Sequence, residues 1–412
     1  MSERPDAGSA LHLRHETWGD HEALLARTRS GSGGRVGVVE TQRRPIADAG
    51  QPFHFEHGGQ LDTVEVAYQT YGELDARGRN AILICHALTG SAHAAGVHNE
   101  GDVPGWWDPL IGPGKPIDTN RYFVLSTNVL GGCYGSTGPG SLNPKTNQPY
   151  GPDFPRFTIR DMVNAQKRLA ESLGITSFAS VVGGSMGGMQ VLEWAAAYPE
   201  WVRSMVPIAT TPRHSAWAIG LNDVARRAIV SDAAWKDGRY GPDAQPETGL
   251  GLARAIAMLS YRSFDSLESK FGRERVVQPR ADWGDAPKPG VLGSMLSVAF
   301  EIQSYLAYQG VQLTKRFDAN TYLYLTRAMD DFDLADGRGR LRDVLASMAM
   351  PALVIGIDSD VLYPESESKT LAESLPNSTY HVLRSPHGHD AFLIEFPQIA
   401  ARLRRFLNDL ES

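Results

Sequence analysis

Apolar residues gather into short, closely spaced runs along much of the chain, and these runs set the expected elements. NAILICHALTG (80–90), RYFVLSTNVLGG (121–132), FASVVGGSMGGMQ (178–190), SMVPIAT (204–210), PALVIGIDSD (351–360) and TYHVLRSPHGHD (379–390) each hold a continuous apolar stretch. Stretches without polar alternation read as strands buried on both faces, the pattern of a parallel sheet with helices on each side. VEVAYQTYG (64–72) alternates as a strand does. Between the runs, DMVNAQKRLAESLG (161–174) carries apolar residues at helical spacing and closes on Gly174, as helices tend to. The expected fold class is α/β, with a mostly parallel sheet flanked by helices.

Between about residues 213 and 345 the pattern changes. RHSAWAIGLNDVARRAIVSDAAW, GLARAIAMLSYRSF and SVAFEIQSYLAYQGVQLTKRF read as helices, with no buried-strand run between them. A helical lid inserted at 213–345 is expected over one edge of the sheet, with 46–212 and 346–412 forming the core. Residues 1–45 are polar and rich in Gly, Arg and Ser, so they read as a flexible extension, with regular structure starting near Phe53. A length of 412 residues suits one large core with such an insertion.

Composition narrows the function classes. Lys and Arg number 40 against 47 Asp and Glu, a formal charge of −7, which offers no broad attraction to nucleic acid or an anionic membrane. A local basic pocket for an anionic ligand is compatible with that balance. The two cysteines, Cys85 and Cys133, form no CxxC or Cys/His ligand spacing, so no metal site is expected. No apolar segment has the length of a signal peptide or a membrane helix. The expectation is a cytoplasmic protein without membrane or nucleic-acid partners.

The strongest chemical signal is Gly183-Gly184-Ser185-Met186-Gly187, a G-x-S-x-G pattern where a buried strand meets a helix. Such a turn is sharp, and side chains beside the serine would collide with strand and helix; glycines at 183 and 187 remove them. The alternative is an ordinary Gly-rich turn. A nucleophilic Ser185 needs a base and an orienting carboxylate, which in this arrangement follow in the order acid, then histidine, each at a strand end. GIDSD supplies Asp358 or Asp360, and SPHGHDAF supplies His387 or His389. Asp360 is preferred because Val-Leu-Tyr-Pro then turns the chain out of the sheet. His389 is preferred because Gly388 frees its backbone and a helix is expected to begin at 390–392. Reading His387 and His389 as half a metal site lacks further ligands at recognisable spacing. The oxyanion of an acyl-transfer intermediate needs donors, for which the amides of Met186 and Leu88 are the candidates. His86 reads as structural, and the Trp106-Trp107 pair as packing near the site.

HALTGSAH (86–93), GWWDPLIGPGKPIDT (105–119), NVLGGCYGSTGP (128–139), GGSMGGMQVLEW (183–194), DSDVLYP (358–364) and GHDAFLIE (388–395) together resemble the homoserine O-acetyltransferase family, over roughly residues 50 to 408. The resemblance implies an α/β-hydrolase domain with a helical lid and a homodimer joined through lid helices. It implies a ping-pong reaction on acetyl-CoA as co-substrate, with no permanently bound cofactor, in which Ser185, Asp360 and His389 act as a triad and L-homoserine is the acceptor. It also matches Asp390 to the family's amine-binding aspartate, and Arg254 and Tyr261 to its substrate residues. Tyr261 lies seven residues after Arg254 and so shares its helix face. Relatives that use succinyl-CoA carry an arginine two residues after the catalytic aspartate; here that position is Leu362, which favours acetyl. Succinyl-CoA or serine as substrate, and a plain serine esterase, are the rival readings, with a non-catalytic binding module behind them.

Overall fold

The protein is described by a computed structural model covering residues 33–241, 243–276 and 299–410. Eight strands form the central sheet: β1 (Gln42–Ala47), β2 (Val64–Tyr71), β3 (Ala81–Cys85), β4 (Phe123–Thr127), β5 (Phe178–Gly184), β6 (Met205–Ile208), β7 (Ala352–Ile357) and β8 (Ser378–Leu383). Their order is β1-β2-β4-β3-β5-β6-β7-β8. The pairs β1–β2 and β2–β4 are antiparallel, and the remaining pairs are parallel. All seven residues of β5 are buried, because strands flank it on both edges and helices cover both faces.

Two expectations need correction. Regular structure starts before Phe53: β1 pairs with β2 from Gln42 to Ala47, so the extension does not reach residue 45. The polar QRRPIA segment hid this strand, since β1 is an edge strand with little to bury. Ahead of it, the Val39 amide donates to Val97 O at 2.9 Å. Residues 1–32 of the expected extension lie outside the described residues. The second correction concerns the last apolar run, read as buried on both faces. As the opposite edge strand, β8 is only half-buried along most of its length.

The helices are α1 (Ile159–Ser172), α2 (Met186–Ala197), α3 (Ala216–Val230), α4 (Glu247–Tyr261), α5 (Phe264–Phe271), α6 (Glu301–Thr314), α7 (Ala319–Asp330), α8 (Leu341–Ser347), α9 (Glu365–Ser374) and α10 (Phe396–Asp409). A capping box between Thr158 and Asp161 starts α1 two residues before its apolar pattern does. Helices α3 to α7 fall between β6 and β7, with α4 packed against both α3 and α6. Of these, α5 and α7 carry no strong apolar pattern; the caps Ser263 and Asp318 mark their starts. The ends of this insertion are tied together: His214 N donates to Phe332 O at 3.0 Å and Leu334 N to Pro212 O at 2.9 Å. Residues 277–298 of the expected lid lie outside the described residues. Among the described residues, no helix is long and apolar enough to cross a membrane.

The helix that follows Ser185 is locked from one side. Glu193 of α2 is buried, and its carboxylate accepts from Arg160 Nε of α1 at 2.7 Å and from Arg338 Nη1 at 2.9 Å. Arg160 also reaches Glu56 at 2.6 Å. One carboxylate thus fastens the serine's helix to α1 and to the segment leaving the lid. Truncating it leaves Arg338 without its carboxylate partner and Arg160 with the Glu56 carboxylate alone. Glu193→Ala should lower unfolding free energy by about 3 kcal/mol, read as a lower urea midpoint at unchanged slope; an unchanged midpoint would mean that the arginines find solvent freely.

Candidate active site

Ser185 sits between β5 and α2 with φ at 58°, a value that non-glycine residues rarely adopt. The turn is tight enough that a Cβ on Gly187 would meet Cys85 O at 2.1 Å, and one on Gly183 would meet Gly187 O at 2.6 Å. The serine amide is bonded to Ile208 O of β6 at 3.0 Å, which fixes the strained residue in place. Met186 opens α2, so its amide is one of the helix's unpaired first-turn donors. Leu88, in the loop after β3, lines the same cavity as Ser185.

The structure separates the paired candidates. His389 Nδ1 lies 2.6 Å from Asp360 Oδ2. The other oxygen, Oδ1, accepts the amides of Leu362 at 2.8 Å and Tyr363 at 2.9 Å. Asp360 is therefore held at both oxygens and faces the imidazole. Asp358 instead accepts the Ser385 amide at 3.1 Å and braces the loop that carries the histidine. Ser359 Oγ adds to that brace, taking the Gly388 amide at 2.9 Å. His387 is half-buried and does not join Asp360. The helix expected after His389 is a short 3-10 turn, Gly388–Leu393.

The His389 ring is caged by aromatic rings: Tyr363 at 5.2 Å, Phe392 at 5.6 Å and Tyr261 at 5.7 Å between centroids. Its Nε2 is buried and makes no protein hydrogen bond. Burial disfavours the charged imidazolium, but the Asp360 carboxylate outweighs this, with Asp390 adding to it, and the pKa rises above the ordinary histidine value. Ser185 and His389 border one cavity of about 520 Å³. A serine hydroxyl and a carboxylate-held imidazole thus border one cavity, next to the first turn of a helix, which is the set of groups that nucleophilic acyl chemistry needs.

Arg254, Tyr261 and Asp390 line the same cavity. The Arg254 guanidinium lies over the Tyr261 ring at 5.7 Å, as two turns of α4 allow. Asp390 faces Arg262 Nε at 3.5 Å, a contact that sequence reasoning missed. Arg262 directly follows Tyr261, and nothing in its neighbourhood of the sequence sets it apart from other arginines. Arg316, also missed, donates to Tyr134 Oη at 2.6 Å and to Thr89 O at 2.9 Å at the cavity wall. Leu362 is buried and borders a second, small cavity of about 20 Å³ that also touches Ser185. His86 is buried, receives the Val129 amide at Nε2 (3.2 Å), and is pushed down to about 4 by burial, so it is a neutral structural residue. Trp107 is fully buried and donates to Phe392 O at 3.2 Å, while Trp106 lines the cavity.

Comparison with known proteins agrees with this geometry. A family model described as the alpha/beta hydrolase fold matches residues 80–396. A homoserine O-acetyltransferase of Carboxydothermus hydrogenoformans is 51% identical over 379 residues, spanning 91% of this chain and 96% of that protein. The chain belongs to the homoserine O-acetyltransferase family. Among solved structures, a homoserine O-acetyltransferase from Bacillus anthracis aligns over 90% of this chain and 98% of its own, with a TM-score of 0.80 and 31% identity. Esterase E22 aligns over 90% of this chain and 100% of its own, with a TM-score of 0.80 and 34% identity. The scaffold is therefore shared by a transferase and an esterase, and the choice between them rests on what the cavity can bind.

The charges around His389 fix a pH response. A base works from its neutral form, so the acid limb of kcat/KM should lie above the ordinary histidine value of 6.5. Asp390→Asn removes an anion that favours the imidazolium, and the limb should move to lower pH. A limb that stays in place across a pH series would show that Asp390 does not act on the imidazole.

Proposed function

We propose that the protein transfers an acetyl group from acetyl-CoA to the hydroxyl of L-homoserine, in two steps at Ser185. His389, oriented by Asp360, takes the serine proton as Ser185 attacks the thioester carbonyl; the oxyanion is held by the Met186 and Leu88 amides. Collapse expels CoA thiolate, which takes the proton, and leaves acetyl-Ser185. His389 then takes the proton of the homoserine hydroxyl, whose oxygen attacks the acetyl carbonyl; O-acetylhomoserine is released, and the departing Ser185 oxygen takes the proton back from His389.

The observation that carries this reading is the charge of the cavity. Beside Ser185 and His389 it is lined by one carboxylate, Asp390, and by four cationic side chains, Arg254, Arg262, Lys270 and Arg316. In a chain of net charge −7 that local excess suits anionic ligands. An acceptor with an ammonium and a carboxylate can pair with Asp390 and Arg254, and the remaining cations suit the phosphates of CoA. A simple esterase has no use for both. The small cavity beside Ser185 supports acetyl: about 20 Å³ is room for one water-sized group, and Leu362 brings no charge to meet a succinyl carboxylate.

The same reading extends to assembly and location. Val224, Leu252, Leu259 and Phe264 project from α3, α4 and α5 into solvent, with Phe264 75% exposed. Such apolar side chains on lid helices fit a homodimer joined through them. A small-molecule enzyme of this kind fits the cytoplasm.

CoA release from purified protein tests the proposal. Release should be fast with acetyl-CoA plus homoserine and slow with succinyl-CoA, with serine or with water alone; fast release into water would make this an esterase. Ser185→Ala should slow release by more than about a thousandfold with the fold intact, and retained turnover would refute the nucleophile. Leu362→Arg should shift the donor ratio towards succinyl-CoA, and an unchanged ratio would remove the size-and-charge argument for acetyl.

A further inference from the structure

Behind the imidazole lies a second buried histidine–carboxylate pair that the chemistry above does not use. His214 Nδ1 is 3.2 Å from Asp330 Oδ1, and its Nε2 is 3.0 Å from the Tyr363 hydroxyl. Asn222 donates to the same Asp330 oxygen at 2.8 Å, and Arg226 Nη2 stands 2.5 Å from Oδ2. Burial pushes the Asp330 carboxyl up, but the bonds from His214 and Asn222 and the Arg226 charge outweigh it and hold it below the ordinary carboxylate range. An ionised Asp330 can only accept, so His214 donates to it from Nδ1, and the other ring nitrogen, Nε2, pairs with the Tyr363 hydroxyl.

Tyr363 touches both residues behind the nucleophile. Its amide donates to Asp360, and its ring stands edge-on to the His389 ring at 5.2 Å. The contact with Asp360 at Nδ1 leaves the imidazole free to swing about that bond, since Nε2 has no protein partner. The surrounding rings oppose the swing, and the far end of the Tyr363 ring is pinned by its hydroxyl contact with His214.

We propose that Tyr363 and His214 are positioning residues, joining the base of the lid to the imidazole of His389 so that Nε2 is aimed at Ser185. The chain runs from Asn222 and Arg226 on α3 and Asp330 at the end of α7, through His214 where the lid leaves the core, to the Tyr363 ring. The position of the lid helices thereby sets the angle of the base. This inference rests on the reading of His389 as the base of acyl transfer.

The test measures acylation by p-nitrophenyl acetate in a single turnover, together with steady-state kcat and KM for acetyl-CoA, on the full chain. The variants are Tyr363→Phe, His214→Gln, Asp330→Asn and the doubles Tyr363→Phe/His214→Gln and Tyr363→Phe/Asp330→Asn. Each single variant should slow acylation roughly tenfold or more through misalignment, with KM for acetyl-CoA within about twofold because ground-state binding is untouched. Acting through one hydroxyl, the losses should not multiply: each double variant should be no slower than its slower parent. Wild-type acylation in Tyr363→Phe, or losses that multiply in the doubles, would overturn the proposal. If His214→Gln fails to fold, the Asp330→Asn cycle gives the same comparison. Ser185→Ala run alongside separates the two readings: acylation persisting there refutes the triad, whereas full rates in the relay variants with none in Ser185→Ala refute the relay alone.

Discussion

The close approach of α2 to the end of β3 is the constraint on which the site depends. With Cys85 O sitting where a Cβ of residue 187 would be, backbone packs directly against backbone. That contact forces the chain through its turn in a single residue, and Ser185 takes the strained angle. Interiors are close-packed, so a side chain at 183 or 187 would have to displace the sheet itself. The strain is held by β5 and β6 on either side and by the Glu193 lock further along α2. In return the serine borders the cavity beside the first turn of a helix.

The carboxylate and the imidazole arrive by way of strand ends. The loops after β7 and β8 bring Asp360 and His389 together, and Asp358, Ser359 and Ser385 fasten those loops to each other. Phe392 then packs so close to Gly184 that a Cβ there would meet its ring at 2.7 Å. The histidine loop and the serine turn are thus in direct contact, and small shifts in one are felt by the other.

The lid supplies the cations of the cavity. Arg254, Arg262, Lys270 and Arg316 all belong to α4–α6 or the segments around them, while Asp390 belongs to the core. The cavity is electrically divided: its cations hang from the lid, and its carboxylate stands on the core with Ser185 and His389. On a fold shared with an esterase, the proposed function assigns to this division the recognition of the acceptor.

The sequence by itself determined the sheet and the turn. Continuous apolar runs mark β3 to β7 because strands covered on both faces admit few polar residues, and the glycines around Ser185 are needed whatever surrounds them. The edge strand β1 escaped, since an edge has no such demand; the short α5 escaped because most of it is exposed, and α7 because Asn320, Thr321 and Thr326 break up its buried face with polar residues. Motif order narrowed the acid and base to two candidates each, the flanking turn residues favoured Asp360 and His389, and the folded loops put that pair in contact. The ion pair of Arg262 with Asp390, and the chain from Asp330 through His214 to Tyr363, join residues 128 and 149 positions apart or are set by helix packing in the lid. Local pattern records what a segment must bury. It does not record which distant charge it will meet, because that depends on how the helices of the lid settle on one another and on the core.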